Sequence, residues 1–230
     1  MYSHLSPICT PRLVIAAPRV FLSIPNSLIL YLPHFVSLAC RFATFNSNSH
    51  TQQFIYRLSA CPELSLGLFS TADTSTPVSS APTYPSARAP DSASPNRKGV
   101  LIAQVIATKC TSHFVTDESM DLPEASQSGP AFADTRGHHE NGRTVAVHSL
   151  AVLPAYQGRG LGKTVMKSYI QRIETSGIAD RMSLLAHDGL ITFYEGLGFE
   201  NRGTSEVKFG GGGWTNMVNF DFRMVFCSYF

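Results

Sequence analysis

The stretch Val152-Leu-Pro-Ala-Tyr-Gln-Gly-Arg-Gly-Leu-Gly-Lys-Thr164 decides the fold of this chain. A β-rich run stops at Pro154, a glycine-rich turn follows, and an amphipathic helix begins at once. Glycines let a backbone approach a ligand closely, and the free N–H groups and dipole at a helix start attract anions. Arg159 and Lys163 add positive charge. The turn therefore predicts a binding site for a pyrophosphate group.

Three phosphate-binding patterns contain a glycine-rich turn of this kind. A Walker A loop needs glycine at position 157, where the chain has Gln157. The dinucleotide fingerprint fits Gly158 and Gly160, but Lys163 stands where its third glycine belongs. The turn instead resembles the coenzyme A pyrophosphate loop of GNAT acetyltransferases, Gln/Arg-x-x-Gly-x-Gly/Ala, which Gln157, Gly160 and Gly162 match. A glycine-rich turn without a ligand is the less favoured interpretation.

Short strands and helices are predicted around this turn. Apolar residues at spacings of three and four predict a helix over Leu161–Ser176, and Gly177 ends it. Strands are expected at 64–69, 100–108, 144–153, 182–186 and 213–222, a helix ending at 54–58, and a short helix at 190–197. Strands around helices predict a mixed α/β domain.

The composition is that of an ordinary globular chain of 230 residues. A net charge of +2 is too small to indicate a nucleic-acid partner. The five cysteines form no Cys-x-x-Cys pair, so we expect free thiols in a reducing compartment. We also expect no metal, since the run His138-His139-Glu140 lacks further spaced ligands.

Residues 1–51 are predicted to be an atypical N-terminal extension. No Asp or Glu precedes Glu63, whereas four arginines do, and residues 20–40 carry no charge if His34 is neutral. A mitochondrial targeting sequence and an N-terminus without a folded role both remain open. A membrane span ranks lowest, because prolines interrupt the apolar run. We expect a cytoplasmic protein, with mitochondrial targeting left open.

The predicted acetyltransferase domain occupies residues 52–222. Polar stretches rich in Ser, Pro, Thr or Gly indicate flexible insertions at about 71–98 and 111–143, because such segments bury little apolar surface. Residues 223–230 form a C-terminal tail to which the sequence assigns no role.

Four motifs in order resemble the arylalkylamine (serotonin) N-acetyltransferase branch of the GNAT superfamily. They are residues 61–67, residues 147–152, the glycine-rich turn, and Phe193-Tyr194 followed by Gly198-Phe199. The resemblance covers about residues 53–221 and is closest to fungal relatives, which include polyamine acetyltransferases. It implies the α/β (α+β) GNAT fold: a central mixed, mostly antiparallel sheet with splayed strands, flanked by helices.

The resemblance also implies an activity. Acetyl-CoA, as cosubstrate, would give its acetyl group by direct attack to a primary amine, either an arylalkylamine or a polyamine. The backbone of the splayed strand would bind the pantetheine arm and the turn would bind the pyrophosphate. The cofactor-binding residues implied in this way are Leu150, Ala151, Val152, Gln157, Gly158, Arg159, Gly160, Leu161, Gly162 and Lys163.

Two catalytic residues are implied. His148 matches one of two family histidines that help to deprotonate the amine, and its usual pKa of about 6.5 suits that task. The second family histidine falls on Ala146, so the base is His148 alone, acting through water, or another group. Strand alternation would place His148 on the face of Ala146 and Leu150. Tyr194 would protonate the departing thiolate. Ordinary core packing is the alternative for both residues.

Some residues are weaker candidates. Asp117 and Glu118 would attract a cationic amine, although solvated loop charges are the favoured interpretation. Trp214 is either core or an aromatic wall for the amine. Cys61 has no activating neighbour in the sequence, so we interpret it as structural or pocket-lining.

The main alternative function is a non-catalytic coenzyme A-binding module. It is motivated by Ala146 and by residues 1–51, which do not resemble the first strand and helix of the family. A P-loop nucleotide-binding protein is disfavoured by Gln157. The expected partner is a small-molecule amine. Acidic groups in the pocket would favour a polyamine, whereas aromatic walls would favour an arylalkylamine. The sequence leaves the oligomeric state open.

Overall fold

The computed structural model describes residues 48–72, 84–85, 98–123 and 136–220. The expected C-terminal tail, residues 1–47 of the expected extension, and most of the first insertion lie outside these ranges. So do residues 124–135 of the second insertion. Among the described residues, no helix has the length and apolar character that crossing a membrane requires.

The described residues form seven strands and four α-helices, joined in places by single 3-10 turns. In chain order they are α1 Asn48–Ala60, β1 Leu66–Ala72, β2 Tyr84–Pro85, β3 Lys98–Cys110, α2 Asp117–Met120, β4 Thr144–Val152, α3 Leu161–Ser176, β5 Arg181–Ala186, α4 Ile191–Glu195, β6 Glu200–Thr204 and β7 Thr215–Phe220. The helix predicted after the glycine-rich turn is confirmed at both ends. The other predicted elements are present with ends shifted by a few residues.

Three elements were not predicted from the sequence, namely α2, β2 and β6. Strand β6 has five exposed residues, so it lacks the alternation of apolar and polar residues that identifies a half-buried strand. Helix α2 is a single turn held by a capping box between Thr116 and Ser119. Both are short segments whose conformation depends on their neighbours.

The strands form one mixed sheet in the order β1-β3-β4-β5-β7-β6, with β2 paired to β3. Only β4 and β5 run parallel among the described strands, and α3 connects them. The other pairings are antiparallel. The expected mixed, mostly antiparallel sheet flanked by helices is therefore confirmed.

Each face of the sheet carries its own apolar cluster. On one face, here called the α3 face, helix α3 packs against strand residues that include Val145 and Val147. Its buried side chains are Val165, Met166, Tyr169, Ile170 and Ile173. The opposite face, here called the α2 face, carries the smaller cluster of Cys110, Val115, Met120 and Ala146. The sheet thus separates two apolar clusters.

Strands β4 and β5 diverge after four paired residues. Their register runs from Thr144 opposite Arg181 to Val147 opposite Leu184, whereas β4 continues to Val152. On its other edge, β5 pairs with β7 along its whole length. This divergence is the splay that was expected. Along Leu150–Val152, the edge of β4 on the side of β5 is therefore not paired with β5.

A β-bulge at His148 reverses the side-chain alternation of β4. The pairing with β3 passes from Ala107 opposite Val147 to Ile106 opposite Ser149, so His148 is the extra residue. Leu150 consequently packs with the α3-face cluster, whereas Ala146 belongs to the α2-face cluster. The expectation that His148 shares a face with both residues is therefore wrong for Leu150.

Candidate active site

A cavity of about 280 Å³ opens where β4 leaves β5. Five residues with predicted cofactor-binding roles line it, together with Tyr194: Leu150, Ala151, Val152, Gln157 and Gly162. The lining also contains Leu190 and Phe193, which were not predicted as site residues. The divergence of the strands therefore brings the end of β4, the start of α3 and helix α4 around one space.

The glycine-rich turn presents backbone to open space. Gly158 and Gly160 have φ of 72° and 74°, and nothing lies within 4 Å of the position of a side-chain Cβ at either residue. Gly160 caps α3, whose first backbone hydrogen bond runs from Thr164 N to Gly160 O. The backbone N–H groups of Leu161, Gly162 and Lys163 come before that bond in the helix, so they have no acceptor within it. They and the helix dipole make this end of α3 suitable for an anion.

Polar side chains order the turn from within. The Gln157 side-chain amide donates to the carbonyl of Val152 at 3.1 Å, tying the turn to the end of β4. The guanidinium of Arg159 lies 5.3 Å from the centre of the Tyr156 ring, within the range of a cation–π contact. Arg159 and Lys163 are both exposed, so their charges are available at the mouth of the turn.

Tyr194 lies at the cavity on helix α4 and is 8% exposed. Its ring packs edge-on against those of Phe193 and Phe199. Burial raises the pKa of the Tyr194 phenol to about 12. The hydroxyl is therefore protonated throughout the neutral range and can donate a proton or a hydrogen bond into the cavity.

His148 lies outside the cavity lining, on the α2 face. Its Nε2 is 2.7 Å from Thr108 Oγ1, and its Nδ1 is 3.0 Å from Met120 Sδ. A thioether sulfur only accepts, so the consistent arrangement has Nδ1–H donating to Met120 and the Thr108 hydroxyl donating to Nε2. Burial, and then the positive charge of Arg57, hold the His148 pKa well below its usual value. The ring is therefore neutral at pH 7.

A family model described as the acetyltransferase (GNAT) domain matches residues 91–219, more than half of the chain. The chain belongs to the GNAT acetyltransferase family. The match includes β3, β4, the glycine-rich turn and α3. It also includes helix α4, which lines the cavity. The resemblance inferred from four short motifs is thus confirmed at the level of the family.

Curated relatives of this GNAT protein include serotonin N-acetyltransferases. The enzyme of Mesocricetus auratus is 26% identical over 153 residues, covering 66% of this chain and 54% of the relative. The enzyme of Macaca mulatta is 23% identical over 160 residues, covering 70% and 58%. The matches span somewhat more than half the length of these relatives. They agree with the expected arylalkylamine branch, while the expected closeness to fungal enzymes stays a prediction.

Solved structures share the fold at low identity. The GNAT-like decarboxylase GphF in complex with isobutyryl-CoA aligns over 88% of this chain and 98% of its own, with a TM-score of 0.55 and 11% identity. Similarity at this level shows the GNAT fold alone. It carries no information about the reaction of this chain.

The weaker candidates of this GNAT protein have structural partners. Burial raises the pKa of the Cys61 thiol to about 12, so it is not an activated nucleophile. His138 accepts from the Lys109 amide through Nδ1, and its Nε2 lies 3.1 Å from a carboxylate oxygen of Glu140. No grouping of three or more His, Cys, Asp or Glu residues suited to a metal occurs within the described ranges.

The environment of His148 predicts a pH dependence of stability. Its pKa is lowered in the folded state, so the unfolded chain binds more protons once the pH falls below about 6.5. We expect the urea midpoint to fall between pH 7.5 and pH 5.5, and to fall less in His148→Gln. Glu140, whose pKa is lowered by hydrogen bonds from His138 and Lys109, titrates below this window. Equal pH slopes in both proteins would contradict the prediction.

Proposed function

We propose that this GNAT protein transfers an acetyl group from acetyl-CoA to a primary amine. The observation that carries the proposal is the cavity at the β4–β5 splay. Its lining brings together the end of β4 that has left β5, Gly162 at the start of α3, and the neutral phenol of Tyr194. These three features suit the amide-containing arm, the pyrophosphate and the thioester sulfur of one acyl-CoA molecule.

The residues present fit this cosubstrate. The β5-facing edge of Leu150–Val152 can pair with the amides of an extended arm as a strand would. Open space beside Gly158 and Gly160 admits a bulky anion, and the amides of Leu161–Lys163 would bind it together with Arg159 and Lys163. The solved relative that holds isobutyryl-CoA supports the assignment of acyl-CoA as the bound species. When bound, acetyl-CoA supplies an activated acyl group.

A primary amine is protonated at pH 7, so its nitrogen must lose one proton before the attack and a second as the amide forms, while the sulfur gains one. The amine nitrogen forms a bond to the acetyl carbon while the carbon–sulfur bond breaks, giving an amide and free coenzyme A. We assign Tyr194 as the general acid that donates its proton to the sulfur. Both ring nitrogens of His148 already have partners, so it assists removal of an amine proton indirectly. Water passes a proton to the Thr108 hydroxyl, which gives its own proton to Nε2. The lowered pKa of His148 keeps the ring unprotonated at pH 7 but makes it a weaker base than the exposed histidine that the usual pKa of about 6.5 describes.

The α2 face favours an arylalkylamine over a polyamine. Asp117, one of two candidate acids for a polyamine, accepts hydrogen bonds from the amides of Lys208 and Phe209. Trp214 stacks on His187 with 3.8 Å between ring centres. The Trp214 indole N–H donates to the carbonyl of Phe209, and Phe209 packs on the α2-face cluster together with Leu185. The stacked rings of Trp214 and His187 support a flat, aromatic substrate.

Release of coenzyme A tests the proposal. The full chain is incubated with acetyl-CoA and tryptamine, serotonin or spermidine, and free thiol is followed with a thiol reagent. We expect amine-dependent release, with kcat/KM higher for tryptamine and serotonin than for spermidine. Binding of coenzyme A is measured in parallel by calorimetry. Binding without release from any amine would reject the enzyme and leave a non-catalytic coenzyme A-binding module.

The domain limits are part of the same proposal. We propose one GNAT domain over residues 52–222, with residues 1–51 as an extension and 223–230 as a tail. Helix α1 begins at Asn48, so a fragment starting at residue 52 would remove its first turn. The full chain is therefore the appropriate protein for the assay. Cytoplasmic localisation likewise stays a prediction.

A further inference from the structure

The carboxylate of Asp117 joins two segments that are distant in sequence. Its oxygens accept from the amide of Lys208 at 3.1 Å and from the amide of Phe209 at 2.9 Å. Asp117 begins α2, whereas the two amides belong to the β6–β7 loop, residues 205–214. We infer that Asp117 is a positioning residue, anchoring this loop and α2 together as one wall of the amine-binding site. The inference rests on the proposed function for the identity of that site.

The β6–β7 loop needs an external anchor. Gly210 to Gly213 are four consecutive residues with positive φ, and glycine restricts its own backbone least of all residues. Several hydrogen bonds close the loop internally, and two of them involve Trp214. The Trp214 indole N–H donates to the Phe209 carbonyl at 2.7 Å, and the Ser205 amide donates to the Trp214 carbonyl at 2.7 Å. These contacts shape the loop, while the Asp117 carboxylate attaches it to α2.

The other end of α2 reaches the proposed base. Met120 places its sulfur 3.0 Å from His148 Nδ1, and its carbonyl accepts from the buried guanidinium of Arg57 at 2.7 Å. Phe209 packs on the cluster that contains Met120. Helix α2 therefore connects the loop that carries Trp214 to the His148 ring. Releasing the Asp117 anchor should loosen the aromatic wall, whereas Met120 keeps its own contacts with His148 and Arg57.

This wall is separate from the cofactor cavity. The cavity is lined from β4, the glycine-rich turn, α4 and the 3-10 turn before it, without a residue of α2 or of the β6–β7 loop. Loss of the Asp117 anchor should therefore raise the KM for the amine and leave coenzyme A affinity unchanged. A general loss of stability would not change the amine KM while leaving coenzyme A affinity the same.

Asp117→Ala, Asp117→Asn and Glu118→Ala are the variants that test the inference. Glu118 is the matched control, because it is an exposed carboxylate in the same helical turn. Loss of a charge-assisted hydrogen bond in Asp117→Ala should raise the amine KM roughly fivefold, with kcat and coenzyme A affinity within about twofold of the wild type. Asp117→Asn keeps one acceptor oxygen and should lie between. Glu118→Ala should match the wild type.

The single tryptophan of the chain gives a second readout that needs no turnover. Trp214 lies on the anchored loop, so acrylamide should quench its fluorescence more strongly in Asp117→Ala than in Glu118→Ala. Equal KM changes in both alanine variants would show an effect of charge alone and overturn the inference. Unchanged quenching in Asp117→Ala would also overturn it. If the wild type acetylated no amine, the proposed function would fail, and quenching would still decide whether Asp117 anchors the loop.

Discussion

Replacing Tyr194 with phenylalanine is expected to lower kcat for amine acetylation at least about tenfold, a cautious value for one acid–base group. The ring contacts with Phe193 and Phe199 remain, so the cavity should keep its shape and coenzyme A affinity should change little. The hydroxyl that would protonate the sulfur is lost. Because the phenol pKa is raised to about 12, the wild-type rate should show no decline from Tyr194 below about pH 10.

Tyr169→Phe is the matched control for this experiment. Tyr169 is also buried, but its hydroxyl donates to the Leu64 carbonyl at 2.7 Å in the core below α3. Removing that hydroxyl should reduce the free energy of unfolding by about 1 kcal/mol, the usual contribution of one hydrogen bond. It should leave kcat unchanged. A Tyr194→Phe enzyme that retained more than half of the wild-type kcat would exclude Tyr194 as the general acid.

Replacing Gly160 with valine is expected to weaken coenzyme A binding about tenfold or more. A tenfold loss equals about 1.4 kcal/mol, within the range of an anion at a helix N-terminus. The valine side chain would enter the open space beside the turn, where the pyrophosphate should approach the first amides of α3. Calorimetric titration with coenzyme A measures the effect directly.

Gly177→Val separates this loss of affinity from backbone strain. Gly160 and Gly177 cap opposite ends of α3 with similar left-handed conformations, φ 74° and φ 63°, and both face open space. A side chain should cost about 1–2 kcal/mol of stability at either end. Only Gly160 borders the anion site, so only its variant should lose affinity. Equal affinities in the two variants would refute the pyrophosphate assignment.

Helix α3 shows what local sequence can determine. Apolar residues at the helical spacing and a glycine at each boundary predicted both of its ends, because helix periodicity and capping are properties of neighbouring residues. Strand β6 and helix α2 were missed for the opposite reason. The first is an exposed edge strand without an apolar face, and the second is one turn held by Thr116, Ser119 and distant contacts.

By itself, the sequence determined the family, the central α/β unit and the glycine-rich turn, since each depends on residues close together in the chain. Only the tertiary structure decided the surroundings of His148. A single extra residue in β4 reversed its alternation, and the partners Thr108, Met120 and Arg57 came from three other elements. The role of Asp117 was likewise set by a loop more than 90 residues away. Burial, pairing register and long-range hydrogen bonds depend on where the folded chain places each residue, and no local pattern encodes them.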